Sequence, residues 1–288
     1  MADKVEQQDI RGLDIDKMVK GFALSEYVLK ADCLVTSCTG DSIRWYQETA
    51  ADLTVTAPAK NANISPLSTF PTLEVSWTRN TSYVKKYAAE GFISLEDIKS
   101  ADIDVIARTL LRLTRSVVKQ VDTRIYNVIT ESLSPSAINT AAATGTGWDD
   151  ATNGDPIKDL LVAKKEIATY NYNPEGATLY IHPTEMQMLL TWLITTKGSS
   201  IPQFASEKVR SGTVMNIVGL NVKVSTNATT DYAVVYIPQT ACTWKSHTDT
   251  TSRAIEEAGI GTKIRVWELG EALLTDPRSV HLITDTTT

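Results

Sequence analysis

The sequence predicts an α+β fold. Three observations predict it: a very long amphipathic helix near residues 100–131, a long extended hairpin before it, and a run of short helices and strands after it that shows no internal repeat. The chain's 288 residues suffice for one large domain or two closely joined ones. Its apolar and charged fractions, 42% and 22%, are those of an ordinary globular protein. A net charge of -6 argues against a surface that clamps nucleic acid as a whole.

The first residues, "MADKVEQQDI", are polar and contain no apolar signal core. Residues 1–11 read as a free arm. From Leu13, the positions Leu13, Ile15, Met18, Val19, Phe22, Leu24, Tyr27 and Val28 have helical spacing and predict an amphipathic helix ending near Lys30. Its apolar stripe needs a partner. Neighbouring subunits are the expected partner, so a chain lacking residues 1–30 is expected to fold.

Residues 41–88 follow as two extended stretches, "SIRWYQETAADLTVTA" and "PTLEVSWTRNTSYVKKY", joined by a polar tip with Pro58, Pro66 and Pro71. Such a hairpin buries too little apolar surface to stand alone. Gly91 breaks the extended run, and Ser94 is a candidate N-cap with Asp97 three residues on. Ser100 is the candidate cap of the long helix, with Asp102 and Asp104 in its first turn. Ile103, Ile106, Leu110, Leu113, Val117, Val121, Ile125 and Val128 recur at steps of three and four. Arg108, Arg112, Arg115, Lys119 and Arg124 occupy other faces. The stripe is wider than a coiled-coil seam, so this rod of about 45 Å is expected to pack on a sheet.

Residues 132–154 read as a small-residue loop. Asp155 and Pro156 open the next helix, which runs to about Tyr170. "ATLYIHP" is a strand, and Pro183 opens the helix "PTEMQMLLTWLITT". Residues 196–213 read as a polar loop. "VMNIVGLNVKVST", interrupted by Gly219, and "DYAVVYIPQ" are strands, and 241–262 read as irregular. "TKIRVWEL" and "SVHLIT" are closing strands, separated by "GEALLTDPR" with a turn at Asp276 and Pro277.

The search for chemistry assigns no catalytic, cofactor-binding or metal residue. Cys33, Cys38, Cys242 and His247 could form a Cys3His zinc site, but the pairs lie far apart and lack the usual two-residue spacer. Buried thiols and a loop histidine explain them more simply, and three cysteines make no disulfide framework. His182 and Glu185 sit where a strand meets a helix, without a nucleophile elbow, a zinc helix or a phosphate loop beside them. Helix-start chemistry accounts for both. "TGTGW" at 144–148 lacks the lysine of a phosphate cradle, and the three sequons carry no meaning without a signal peptide. Arg79, Lys85 and Lys86 could meet phosphates, but a solvated face or salt bridges to an acidic neighbour is the simpler reading. No run of about 18 apolar residues occurs, so no membrane span is expected, and the chain is expected to fold in a cytoplasm-like compartment.

The order of elements and several phrases resemble the major capsid proteins of tailed double-stranded DNA viruses with the HK97 fold. "VKKYAAEGFISLEDIKSADIDVIARTLLRLTRSVVKQVDTRIYNVI" is similar to that family's passage from hairpin to spine helix. "GATLYIHPTEMQMLL", "NIVGLNVKVST" and "TKIRVWELGEALLTDPRSVHLIT" are similar to its axial strand and helix, its glycine-containing strand and its terminal strands. The resemblance runs from about residue 35 to the end. It implies an N-terminal arm (1–40), an extended loop (41–90) lying across a neighbour, and a peripheral domain beginning at 91–170 with its spine helix at 100–131. An axial domain (171–258) and closing peripheral strands (259–288) would follow. It further implies a structural, non-enzymatic subunit without cofactors, forming hexamers and pentamers that close into an icosahedral shell. Such a bacteriophage capsid would be assembled in the host cytoplasm and become part of the virion. A portal protein, a separate scaffold or decoration protein, and weak non-specific contact with packaged DNA are the implied partners. The residues before the hairpin leave little room for a cleaved scaffolding region, so an unprocessed subunit is expected. An encapsulin-like nanocompartment is the nearest rival. A zinc-dependent hydrolase on the cysteine pairs comes from another class, and a secreted adhesin lacks its signal.

Some shells of this kind lock the hairpin to a neighbour through a Lys–Asn isopeptide bond. Lys60 is the only lysine in the hairpin tip, and no asparagine follows residue 227. Glu268 and Glu271 could move protons there, yet no amide acceptor accompanies them. A shell held by non-covalent contacts is expected.

Overall fold

A computed structural model describes residues 17–23, 27–48, 64–68, 77–100, 105–131, 138–150, 152–196 and 216–287. In chain order the elements begin with helix α1 (17–23) and a 3-10 turn (Lys30–Asp32). Strands β1 (Leu34–Ser37), β2 (Ser42–Glu48), β3 (Trp77–Tyr83) and β4 (Lys85–Ser94) follow, then helices α2 (Leu95–Ser100) and α3 (Val105–Ile129). Next come β5 (Asn139–Ala142), α4 (Pro156–Thr169), β6 (Thr178–Ile181), α5 (Pro183–Thr191) and a π-turn (Trp192–Thr196). The chain closes with β7 (Asn216–Ile217), β8 (Leu220–Val224), β9 (Tyr232–Tyr236), β10 (Cys242–Glu257), β11 (Gly261–Leu274) and β12 (Val280–Thr284). The chain divides into two compact units. One draws on 1–43, 82–126 and 244–273, the other on 44–81, 127–243 and 274–288.

The first unit is a four-stranded sheet, in the order β1-β10-β11-β4, with the long helix α3 on one face. Leu110 and Val117 of α3 are fully buried with Ile93 of β4 and Ile264 and Val266 of β11, and Leu113 packs against the same cluster. The apolar stripe therefore meets a sheet, as its width requires. Gly91 does not break β4: it lies mid-strand, paired with Ile264. It is small because α3 approaches there, and a Cβ would stand 3.0 Å from Leu113 Cδ1 and 3.1 Å from Thr109 Cγ2. Ser94 caps α2 as expected, accepting from Asp97 N at 3.1 Å.

Two readings of this unit need correction. Residues 241–262 are not irregular; 242–257 form the longest strand, β10. Its sequence, "CTWKSHTDTTSRAIEE", hides the strand because polar Thr243, Ser246 and Thr250 occupy buried positions that alternation reserves for apolar side chains. β11 likewise continues through "GEALL". Gly270 allows this: any Cβ would lie 2.5 Å from Trp244 Cζ2.

The second unit contains the six-stranded sheet β5-β12-β9-β6-β8-β7. Leu160, Ala163 and Ile167 of α4, Leu189 of α5, Leu179 and Ile181 of β6 and Val235 of β9 share one core with Trp148 and Trp192. Asp155 caps α4, accepting from Lys158 N at 3.1 Å, and Pro156 follows in the first turn. Part of the predicted loop is strand: β5 pairs in parallel with β12. The helix opened by Pro183 is α-helical only to Thr191 and then widens into the π-turn. Val218 and Gly219, both at positive φ, make the two-residue turn between β7 and β8. The two closing strands fall in different sheets, β11 in the four-stranded one and β12 between β5 and β9. β2 and β3 pair as a two-stranded ribbon, whose expected tip, with Lys60, lies largely outside the described residues.

Candidate functional site

The densest polar constellation is a buried ionic cluster in the first unit. Glu268, fully buried on β11, accepts from Lys30 Nζ, from Tyr27 Oη and, at 2.9 Å, from Thr250 Oγ1. Lys30 Nζ also lies 4.4 Å from the Tyr27 ring centroid and 5.6 Å from that of Trp244. Asp122 on α3 accepts from Val28 N at 2.9 Å and Lys30 N at 3.1 Å. Burial pushes the Asp122 carboxyl pKa up, and these backbone donors draw it partly back. Burial, reinforced by the Glu268 charge, pushes the Tyr27 phenol far up. The cluster ties residues 27–30 to the sheet and the long helix.

That geometry corrects the reading of the arm. Residues 17–23 are helical, whereas 27–29 are not, because Asp122 takes the backbone N–H groups of this stretch and a 3-10 turn follows. Val19, Ala23 and Leu29 are buried in this chain's own unit, so the stripe has an intramolecular partner. Residues 1–16 lie outside the described residues.

A second buried carboxylate, Glu271, is held by the Arg124 guanidinium, with Lys85 Nζ 3.6 Å away. Desolvation pushes the neighbouring Tyr87 phenol pKa up, and the Glu271 charge adds to it. Both glutamates considered as proton movers are thus committed to internal partners.

The other sequence candidates take structural positions. His182 caps α5, its Nδ1 accepting from Thr184 N at 3.2 Å. Glu185 is buried and accepts from Asp231 N at 2.7 Å. Asp159 gathers the 144–148 loop, accepting from Thr144 N at 3.1 Å and Trp148 Nε1 at 2.9 Å. Asp150 is half-buried, and donors from Thr152, Thr146 and Asn153 lower its pKa to about 2. Cys33, Cys38 and Cys242 are thiols outside any disulfide. Among the described residues no three His, Cys, Asp or Glu side chains converge as metal ligands, and no helix is long and apolar enough to cross a membrane. An open groove of about 250 Å³ beside Trp148, Met188 and Trp192 contains one titratable lining residue, Asp149.

Sequence reasoning missed the cluster around Glu268. Tyr27 and Lys30 lie more than 200 positions from Thr250 and Glu268, and no local pattern couples the two pairs.

Side chains here cap, staple and pack, while long strands and one spine helix form broad surfaces. That is the build of a structural shell subunit, and the fold is α+β and HK97-like. The chain belongs to the phage capsid protein family, which matches residues 79–283. This membership makes it a structural capsid protein and favours the viral reading over a nanocompartment. No curated protein matches the sequence. Among solved structures, the chain is similar to the virus-like particle from Pyrococcus furiosus, with 13% identity over 95% of this chain and 99% of that one and a TM-score of 0.65. The capsid of Cyanophage P-SCSP1u matches at 15% identity over 88% and 86% of the two chains, TM-score 0.65. The mature capsid of bacteriophage PhiM1 matches at 13% over 90% and 86%, TM-score 0.61.

Proposed function

We propose that this chain is the major capsid subunit of a tailed phage, assembling through hexamers and pentamers into a closed icosahedral shell around double-stranded DNA. The observation that carries the reading is the β2–β3 ribbon. Ile43 and Gln47 on one face are buried, while Arg44, Tyr46, Arg79, Thr81 and Tyr83 are exposed, Tyr46 at 56% and Tyr83 at 68%. Tyrosine and arginine dominate the energetic centres of protein interfaces, so this face suits a neighbouring subunit. In this reading the ribbon is the extended loop, the four-stranded sheet with α3 is the peripheral domain, and the six-stranded sheet with α4 and α5 is the axial domain; these bounds differ from the expected 91–170, 171–258 and 259–288, because β10 joins the four-stranded sheet while β5, α4 and β12 go with the six-stranded one. The shell is assembled in the host cytoplasm, becomes part of the virion, and works with a portal and a separate scaffold or decoration protein.

Electron microscopy of the purified full-length chain tests the proposal. Closed particles or capsomers are expected under assembly conditions. A chain that stays monomeric, with Tyr46→Ala and Tyr83→Ala changing nothing, would overturn it.

A further inference from the structure

We propose that the exposed face of the spine helix is a binding track for the phosphate backbone of duplex DNA. The proposal rests on the reading above that the shell encloses DNA. Arg108, Arg112, Arg115 and Lys119 are all exposed on α3. Their spacing of four, three and four places them within an arc of about 60° and along about 16 Å of one side. Leu110 and Val117, fully buried, mark the opposite side. Between Val105 and Val121 the helix carries these four cations and no Asp or Glu.

This arrangement has a local cost. Like charges at i,i+4 and i,i+3 repel and weaken a helix, whereas alternating glutamates would have stabilised it. It stands in a chain whose net charge is -6, so the stripe concentrates positive charge against the overall balance.

The composition of the face selects the partner. The exposed large hydrophobic side chains of the described residues include none on α3. A protein partner would need apolar or aromatic anchors there. The remaining exposed neighbours, Ser116 and Gln120, are uncharged polar groups. Arginine is suited to bidentate phosphate contact, and three of the four cations are arginine. Without groups placed to read bases, such contact is independent of sequence and sensitive to salt, which suits a genome that must enter and leave.

The test titrates unassembled full-length subunits with a labelled 30-base-pair duplex across about 50–200 mM salt. Four phosphate contacts predict a fall in affinity of about a hundredfold over that range. The variant R108Q/R112Q/K119Q should bind more weakly and lose about 2.7 from the log–log salt slope, and R112Q alone about 0.9. R108K/R112K, which keeps the charge, should retain the slope. The ribbon variant R44Q/R79Q should leave it unchanged. An unaltered slope in the triple variant overturns the proposal, and so does an equal loss in R44Q/R79Q. Preferential binding of poly-glutamate of matched charge would overturn it in favour of an acidic protein partner. Electron microscopy of the same preparations keeps the two readings apart: failure of the wild type to assemble strikes the shell, and an unchanged slope strikes the track.

Discussion

Leu113 fills the space that a side chain on residue 91 would occupy, its Cδ1 standing 3.0 Å from where a Gly91 Cβ would lie. The spine helix and strand β4 are therefore fitted at this point to within one methyl group. Gly91→Ala would lose about 1–3 kcal/mol through overpacking and regain about 0.4–1 kcal/mol through a less flexible unfolded chain. A net loss of about 1 kcal/mol is expected, read as a lower urea midpoint. Leu113→Ala should absorb the extra methyl, so the two changes together should cost less than their sum. Strict additivity would show that the contact is not tight.

Removal of residues 1–16 should leave a soluble subunit, whereas removal of 1–30 should not. The longer deletion takes away buried Val19 and Leu29 and leaves the fully buried Glu268 without Lys30 and Tyr27. Solubility and circular dichroism of the two truncations provide the check. A folded 31–288 fragment would return the arm to the role of a free appendage.

Arg124→Ala should destabilise the chain by about 3 kcal/mol, because it strips the direct partner from buried Glu271 and leaves Lys85, itself half exposed, at 3.6 Å. Glu271→Gln in the Arg124→Ala background should recover much of that loss, since no uncompensated carboxylate remains. Chemical denaturation of the single and double variants measures both numbers.

His281 should make the fold acid-sensitive. It is buried on β12 with both ring nitrogens unpaired, and burial lowers its pKa, with the Glu166 charge pulling it partly back. The unfolded chain gains a proton near pH 6.5 that the folded chain refuses, so this contribution is intact above about 6.5 and is lost as pH falls through the lower folded value. Its slope cannot exceed about 1.4 kcal/mol per pH unit. Urea midpoints at pH 7.5 and 5.5 should converge in His281→Leu relative to wild type, and an identical gap in both would rule the histidine out.

Particles boiled in reducing detergent should give one band near 31.5 kDa. Glu268 and Glu271 are engaged by Lys30, Tyr27 and Arg124 rather than open to a neighbour's lysine, and no asparagine follows residue 227. Heavier bands that vanish in Lys60→Ala would reveal a covalent lock.

The sequence by itself determined the local elements. Periodicity marked the spine helix, and side-chain chemistry marked the caps at Ser94 and Asp155 and the turn at Asp276, because a 3.6-residue stripe and a capping oxygen act over a few residues. It also left the chemistry search empty, and His182 and Glu185 took the helix-start positions that local reasoning assigned them. Tertiary structure alone decided the rest. The polar run 242–257 became the longest strand because it has neighbours on both sides in the sheet, β1 and β11. Gly91 and Gly270 stayed within strands because Leu113 and Trp244 occupy the space beside them. Residues 27–30 joined the core because Asp122 and Glu268, distant in the chain, hold groups that cannot be buried unpaired. Burial and charge pairing depend on which residues meet in space, and that is set by the packing of the whole unit, beyond the reach of any short stretch of sequence.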